Sequence, residues 1–150
     1  MTPRRMKFGI FMAPFHNVGE NPTPALARDM ELIEWLDHLG YDEAWIGEHH
    51  SAGWEYIASP ELFIAVAAER TRHLQLGTGV VSLPYHHPLM VAERMVLLDN
   101  LTRGRVLFGV GPGALGGYGD EHLGRGDVLP ASAVVLTDPG LVEAQLVQPG

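Results

Sequence analysis

Histidine and glutamate fall in this chain where acid–base or metal chemistry could use them. Five of its eight histidines sit in three short stretches, at His16, at Glu48-His49-His50 and at His86-His87. An unperturbed imidazole titrates near neutral pH, so each can take or give a proton, and each can bind a transition metal through a bare ring nitrogen. A metal centre meets a geometric objection. Neighbouring residues of an extended segment point to opposite sides, so His49 and His50 cannot readily share one ion, nor can His86 and His87. No His-x-His pair occurs. The expectation is therefore hydrogen-bonded loop histidines and no metal. The absence of cysteine removes a thiolate nucleophile, Cys-ligated metals and a disulfide framework, and suits a reducing compartment without requiring one. A second candidate is the run Gly109-Val110-Gly111-Pro112-Gly113. It is a poor phosphate cradle, because the dinucleotide fingerprint follows the first strand and opens a helix, whereas this run follows a fourth strand and contains Pro112.

These residues need a scaffold, and the first 110 positions alternate between strand and helix patterns. Lys7 to Phe11 reads as a strand buried on both faces. Thr23 as cap, Pro24 in the first turn, the series Leu26, Met30, Ile33, Leu36 and Leu39, and a stop at Gly40 read as a helix. Ala44 to Gly47 is a second strand. Ser59-Pro60-Glu61 opens a second helix carried by Leu62, Ala65, Val66 and Glu69. Leu74 to Leu83, interrupted by Gly77 and Gly79, is a third strand. Pro88 opens a third helix with the stripe Val91, Met95, Leu98 and Leu101, ended by Gly104, and Arg105 to Val110 is a fourth strand. Strand starts recur at about the 30 residues of a βαβ unit, which predicts a parallel sheet with right-handed crossovers. A doubly wound sheet and half of a (β/α)8 barrel both fit. In either, ligands bind where the strands end, and that is where the five histidines fall.

Composition narrows the function classes. The net charge of −8 leaves no basic field for nucleic acid or an anionic membrane surface. No apolar run reaches the roughly 20 residues of a membrane helix, and the N-terminus lacks a signal-type apolar stretch, so a cytoplasmic location is expected. Ten of the 18 glycines lie in the last 42 residues, where only one of the twelve aromatics, Tyr118, is found. Residues 116–150 thus read as a Gly/Pro-rich tail of another character, in which Val134 to Leu136 could form a strand and Leu141 to Val147 a helical turn.

The ordered set of segments from residue 7 to about 115 resembles the bacterial-luciferase-like flavin-dependent monooxygenases, and within them the limonene-monooxygenase type. It comprises Phe8-Gly9-Ile10-Phe11; Gly40-Tyr41-Asp42-Glu43-Ala44-Trp45 leading to Glu48-His49-His50; Ser59-Pro60; Gly77-Thr78-Gly79-Val80-Val81 with Leu83-Pro84 and His87-Pro88; Asp99 with Leu101; and Gly104-Arg105-Val106 with Phe108-Gly109-Val110-Gly111. The resemblance implies a parallel (β/α)8 TIM-type barrel, of which residues 1–115 supply about four βα units. It further implies an enzyme that uses reduced FMN, or in some relatives the deazaflavin F420, with O2 to oxygenate a small organic substrate, its reduced flavin coming from a separate reductase. By the same resemblance His49 is the catalytic histidine, Gly79-Val80 is a non-prolyl cis peptide beneath the flavin ring, Glu48 orients backbone or a neighbouring histidine, and Gly111 leaves room for the ring.

Departures from the family pattern carry their own expectations. Pro112 stands where luciferase has an arginine for the flavin phosphate, and the tail after Leu115 reads as an out-of-frame or replaced continuation. A competing reading makes the chain a non-catalytic half-barrel that self-associates to cover its inner face and edge strands.

Overall fold

The computed structural model describes residues 5–13, 15–50 and 53–112, and the backbone of 134–136. The elements run β1 (Gly9–Met12), α1 (Pro22–Leu39), β2 (Glu43–Ile46), α2 (Pro60–Arg70), β3 (Gln75–Thr78), β4 (Val81–Ser82), α3 (Pro88–Thr102), β5 (Val106–Gly111) and β6 (Val134–Leu136), with a 3-10 turn at Leu83–Tyr85. Strands β1, β2, β3 and β5 lie side by side in parallel, as the βαβ spacing predicts. The expected third strand is two pieces, β3 and β4, both paired with β5. Leu76 pairs with Val106 and Val81 with Val110, so five steps along one strand match four along the other, which is a bulge. β6 adds to β5 in antiparallel register, a departure from an all-parallel sheet, though a strand at Val134 to Leu136 is as expected. The rest of the Gly/Pro-rich tail, with the turn expected at Leu141 to Val147, lies outside the described residues.

One cluster holds the core. Met12, Ala44, Ile46, Leu76 and Val81 from the strands meet Met30, Ile33 and Leu36 of α1, Phe63, Ile64, Ala67 and Ala68 of α2, and Val91, Met95 and Leu98 of α3. All three helices therefore cover the same face of the sheet, the arrangement of a barrel segment rather than a doubly wound sheet. No helix among the described residues is long and apolar enough to cross a membrane.

The helix ends depart from the sequence reading in instructive ways. Asn21, not Thr23, caps α1, its side-chain oxygen accepting from the Thr23 N–H at 3.0 Å with Pro22 in the first turn. Gly40 ends the helix in the left-handed region, as expected. In α2 the buried face is Phe63, Ile64, Ala67 and Ala68, while Leu62 and Val66 are exposed, so the expected stripe points outward. α2 is apolar nearly all round, and periodicity alone does not choose its inner face. Leu39 and Leu101, placed in the stripes of α1 and α3, are likewise exposed.

Asp37, in the last turn of α1, ties that helix to the turn before β3. Its carboxylate accepts from the backbone N–H groups of Arg72 (3.1 Å), His73 (3.0 Å) and Leu74 (2.8 Å). Burial pushes its pKa up, but the three N–H groups and the His73 imidazole outweigh burial and hold the carboxyl below its ordinary value. A depressed folded value gives stability that is full above the ordinary pKa of about 3.9 and is lost as pH falls through the folded value. Asp37→Asn is expected to cost about 1–2 kcal/mol at pH 7, with the gap to the parent closing in strong acid. Urea midpoints at pH 7 and pH 2.5 check this, and a gap independent of pH would contradict it.

Candidate active site

The C-terminal ends of β1, β2, β4 and β5 bring the expected residues to one edge of the sheet. Just beyond β2, Glu48 turns a fully buried carboxylate toward the neighbouring loops. Its Oε1 lies 2.7 Å from His50 Nε2 and 3.0 Å from His86 Nε2, and its Oε2 accepts from the Ser82 N–H at 3.3 Å. Glu48 and His50 are two residues apart and so share a side, which is the signal in the sequence for this pair. His86 arrives from the other direction, on the turn that follows β4. The Arg94 guanidinium contacts His86 Nδ1 at 3.2 Å and Glu61 at 2.9 Å. Because Arg94 can only donate, Nδ1 of His86 must accept, so its proton resides on Nε2 and is given to Glu48.

Glu48, His50 and His86 place three ligand-capable atoms within 4.8 Å of one another. The objection drawn from adjacent histidines does not apply to this trio, which combines His50 with His86 rather than with His49. His87 is not part of it; its backbone caps α3.

His49 faces a different partner. The loop after β2 folds back on the loop after β1: His49 N–H donates to Ile57 O (3.0 Å), His16 N–H donates to Trp54 O (2.7 Å), and Phe15 and Glu55 form an antiparallel bridge. That strap sets the Glu55 carboxylate 3.0 Å from His49 Nδ1. The approach is out of line for a hydrogen bond, so Nδ1 is buried with no hydrogen-bonded partner among the described residues. The His49 ring also lies 5.9 Å from Phe15, centroid to centroid. His16 is absorbed elsewhere, with Nε2 2.7 Å from Asp29 and its ring stacked on Tyr56. Glu55 was not singled out by the sequence, since a lone glutamate in a loop carries no spacing signal.

The sheet face away from the helices is shaped by glycine. A β-carbon at Gly77 would run into the Trp45 indole, and one at Gly79 would lie 3.1 Å from the Phe11 ring. The Gly79–Val80 peptide is cis. At Gly111 a β-carbon would fall 2.9 Å from Val80 Cγ2, so Gly111 admits the Val80 side chain next to it. Phe11, 61% exposed, stands over this surface, and Phe15, equally exposed, lies beside His49. A flat, apolar wall of aromatic rings and bare backbone suits a planar heterocycle. A phosphate has no such provision among the described residues of this edge, where Pro112 offers no charge and Arg94 is engaged by Glu61 and His86.

A one-sided parallel sheet with its polar groups gathered at the strand ends is the arrangement of an α/β-barrel segment. The chain belongs to the luciferase-like monooxygenase family, whose sequence profile matches residues 6–122, a little past the Leu115 where the motifs stop. Over 111 residues it is 65% identical to 4-hydroxyprotoasukamycin monooxygenase of Streptomyces nodosus subsp. asukaensis and 58% identical to limonene 1,2-monooxygenase of Rhodococcus erythropolis. Each match takes in 74% of this chain but only 30% and 29% of the relatives, so the chain spans under a third of their length. Among solved structures, the oxygenating constituent of 3,6-diketocamphane monooxygenase from Pseudomonas putida, in complex with FMN, aligns with a TM-score of 0.70 at 31% identity, over 73% of this chain and 30% of that one.

Proposed function

We propose that this chain forms the flavin-ring wall and the acid–base corner of a flavin-dependent monooxygenase acting with reduced FMN and O2 on a small organic substrate. The observation that carries the reading is that His49, partly open to solvent, follows the end of β2 while Gly79-Val80 follows the end of the neighbouring β3, the Gly79 N–H bonding to Ile46 O at 2.7 Å. The FMN-bound relative is the support for FMN, and the deazaflavin F420, used by another aligned structure, stays the alternative. Bound reduced flavin would supply the electrons that activate O2. The protein's share is different. Val80 and the Gly79 backbone, with Phe11, hold a planar ring and exclude water; His49 holds or moves a proton at that ring's edge. Glu48 positions rather than reacts, fixing the loops after β2 and β4 through His50, His86 and Ser82. A separate reductase delivers the reduced flavin in this reading, and the phosphate contacts come from outside the described residues.

We assign no metal to Glu48, His50 and His86. Binding one would require a bare Nε2 on His86, while Arg94 already demands that Nδ1 be bare, and an imidazole stripped of both protons is not available near neutral pH.

The competing half-barrel reading draws on the exposed Phe8, Phe11 and Phe15, a surface that self-association would cover. Titration of the full chain with FMN, oxidised and photoreduced, separates the two. Saturable binding is expected. Failure of FMN and of F420 to saturate up to millimolar concentration would leave the self-associating half-barrel, which light scattering would then show.

A further inference from the structure

We infer that Glu55 is the positioning residue for His49, holding the imidazole proton on Nδ1 so that Nε2 is left bare toward the ligand side. The inference rests on the proposed role of His49. The Glu55 side chain is 3% exposed and that of His49 is 26% exposed. Since Nδ1 itself is buried, the exposure belongs to the rest of the side chain, and Nε2 is the ring nitrogen available to a bound molecule. A buried Nδ1 needs a partner, because a polar atom left unmatched away from water is costly, and Glu55 Oε1 stands 3.0 Å away. A carboxylate can only accept. It therefore selects the Nδ1–H form and makes Nε2 the acceptor, the second-partner logic by which proteins fix histidine tautomers. The backbone strap of His49 to Ile57, His16 to Trp54 and Phe15 to Glu55 makes the pairing a product of the fold rather than of two mobile side chains.

Two carboxylates thus serve three histidines. Glu48 receives protons from His50 and His86, and Glu55 receives one from His49. Adjacent residues His49 and His50 point to opposite sides and are served by different carboxylates.

The test reads the tautomer directly, in the full chain and without flavin, from ring ¹⁵N resonances of labelled histidine, with His49 assigned by the loss of its signals in His49→Gln. Wild type is expected to show His49 protonated at Nδ1. Glu55→Gln, which keeps an acceptor oxygen, should preserve that form. Glu55→Ala should move the proton to Nε2, and Glu55→Met, close in volume and without an acceptor, should do the same if the alanine variant does not fold. Nε2–H in wild type, or Nδ1–H retained in the variants that lack an acceptor, overturns the inference. Loss of flavin binding would instead strike the proposed function and leave this result unaffected.

Discussion

Gly109→Ala is expected to destabilise the chain by about 4 kcal/mol or to prevent folding. The position lies in the gap between the two stretches of ladder that join β5 to β3 and to β4. There the Thr78 hydroxyl replaces the missing backbone pairing, donating to Gly109 O at 2.8 Å and accepting from Gly109 N–H at 3.0 Å, with Thr78 fully buried. A β-carbon on Gly109 would run into the Thr78 carbonyl oxygen and come within 3.4 Å of the Trp45 ring. Backbone cannot swing aside as a flexible side chain can, so the strands must part. Overpacking a core costs about 1–3 kcal/mol or more, and losing two hydrogen bonds adds about 1 kcal/mol each. Against a typical stability of about 5–15 kcal/mol, that removes much of the margin. Urea unfolding followed by circular dichroism measures it; a loss below about 1 kcal/mol would show that β3 and β5 are not packed as described.

Glu48→Ala should cost about 3 kcal/mol, at about 1 kcal/mol for each of the three hydrogen bonds its carboxylate accepts. Three donors, His50 Nε2, His86 Nε2 and the Ser82 N–H, would lose a fully buried acceptor, though the two histidines are themselves partly open. Glu48→Gln should recover about half of this. Its single carbonyl oxygen can serve the histidines or Ser82 but not both, and its amide would face a donor with a donor. Thermal unfolding of the three proteins should rank wild type above Gln above Ala. A Gln variant as stable as wild type would mean that one of the three contacts contributes nothing.

The strand and helix order was legible because α/β units announce themselves locally: Thr23-Pro24 near one end of α1, two residues inside its actual Asn21 cap, and Gly40 at the other, Ser59-Pro60 before α2, Pro88 before α3. The inner face of α2 was not legible, since Leu62 and Val66 are as apolar as Phe63 and Ile64, and only the arrival of α1 and α3 decides which pair is covered. The split of the third strand was half visible. Gly77 and Gly79 marked an interruption, but the bulge depends on where β5 pairs. At the site, Glu48 and His50 could be placed on one side from their spacing alone. His86 joins them from 36 residues away, and Glu55 reaches His49 only because the loop after β2 doubles back, so both depend on closures that no local pattern encodes.

Trp45 gives the inner face an optical signature. Its indole lies in the space left by Gly77 and reaches toward Gly109, whereas Trp35 and Trp54 are 54% and 40% exposed. Emission from Trp45 should therefore sit to the blue of the other two. A flavin ring settling on the wall of Gly79, Val80 and Phe11 would lie within energy-transfer range of that indole, so the chain carries a built-in gauge of whether its barrel face is bare or covered.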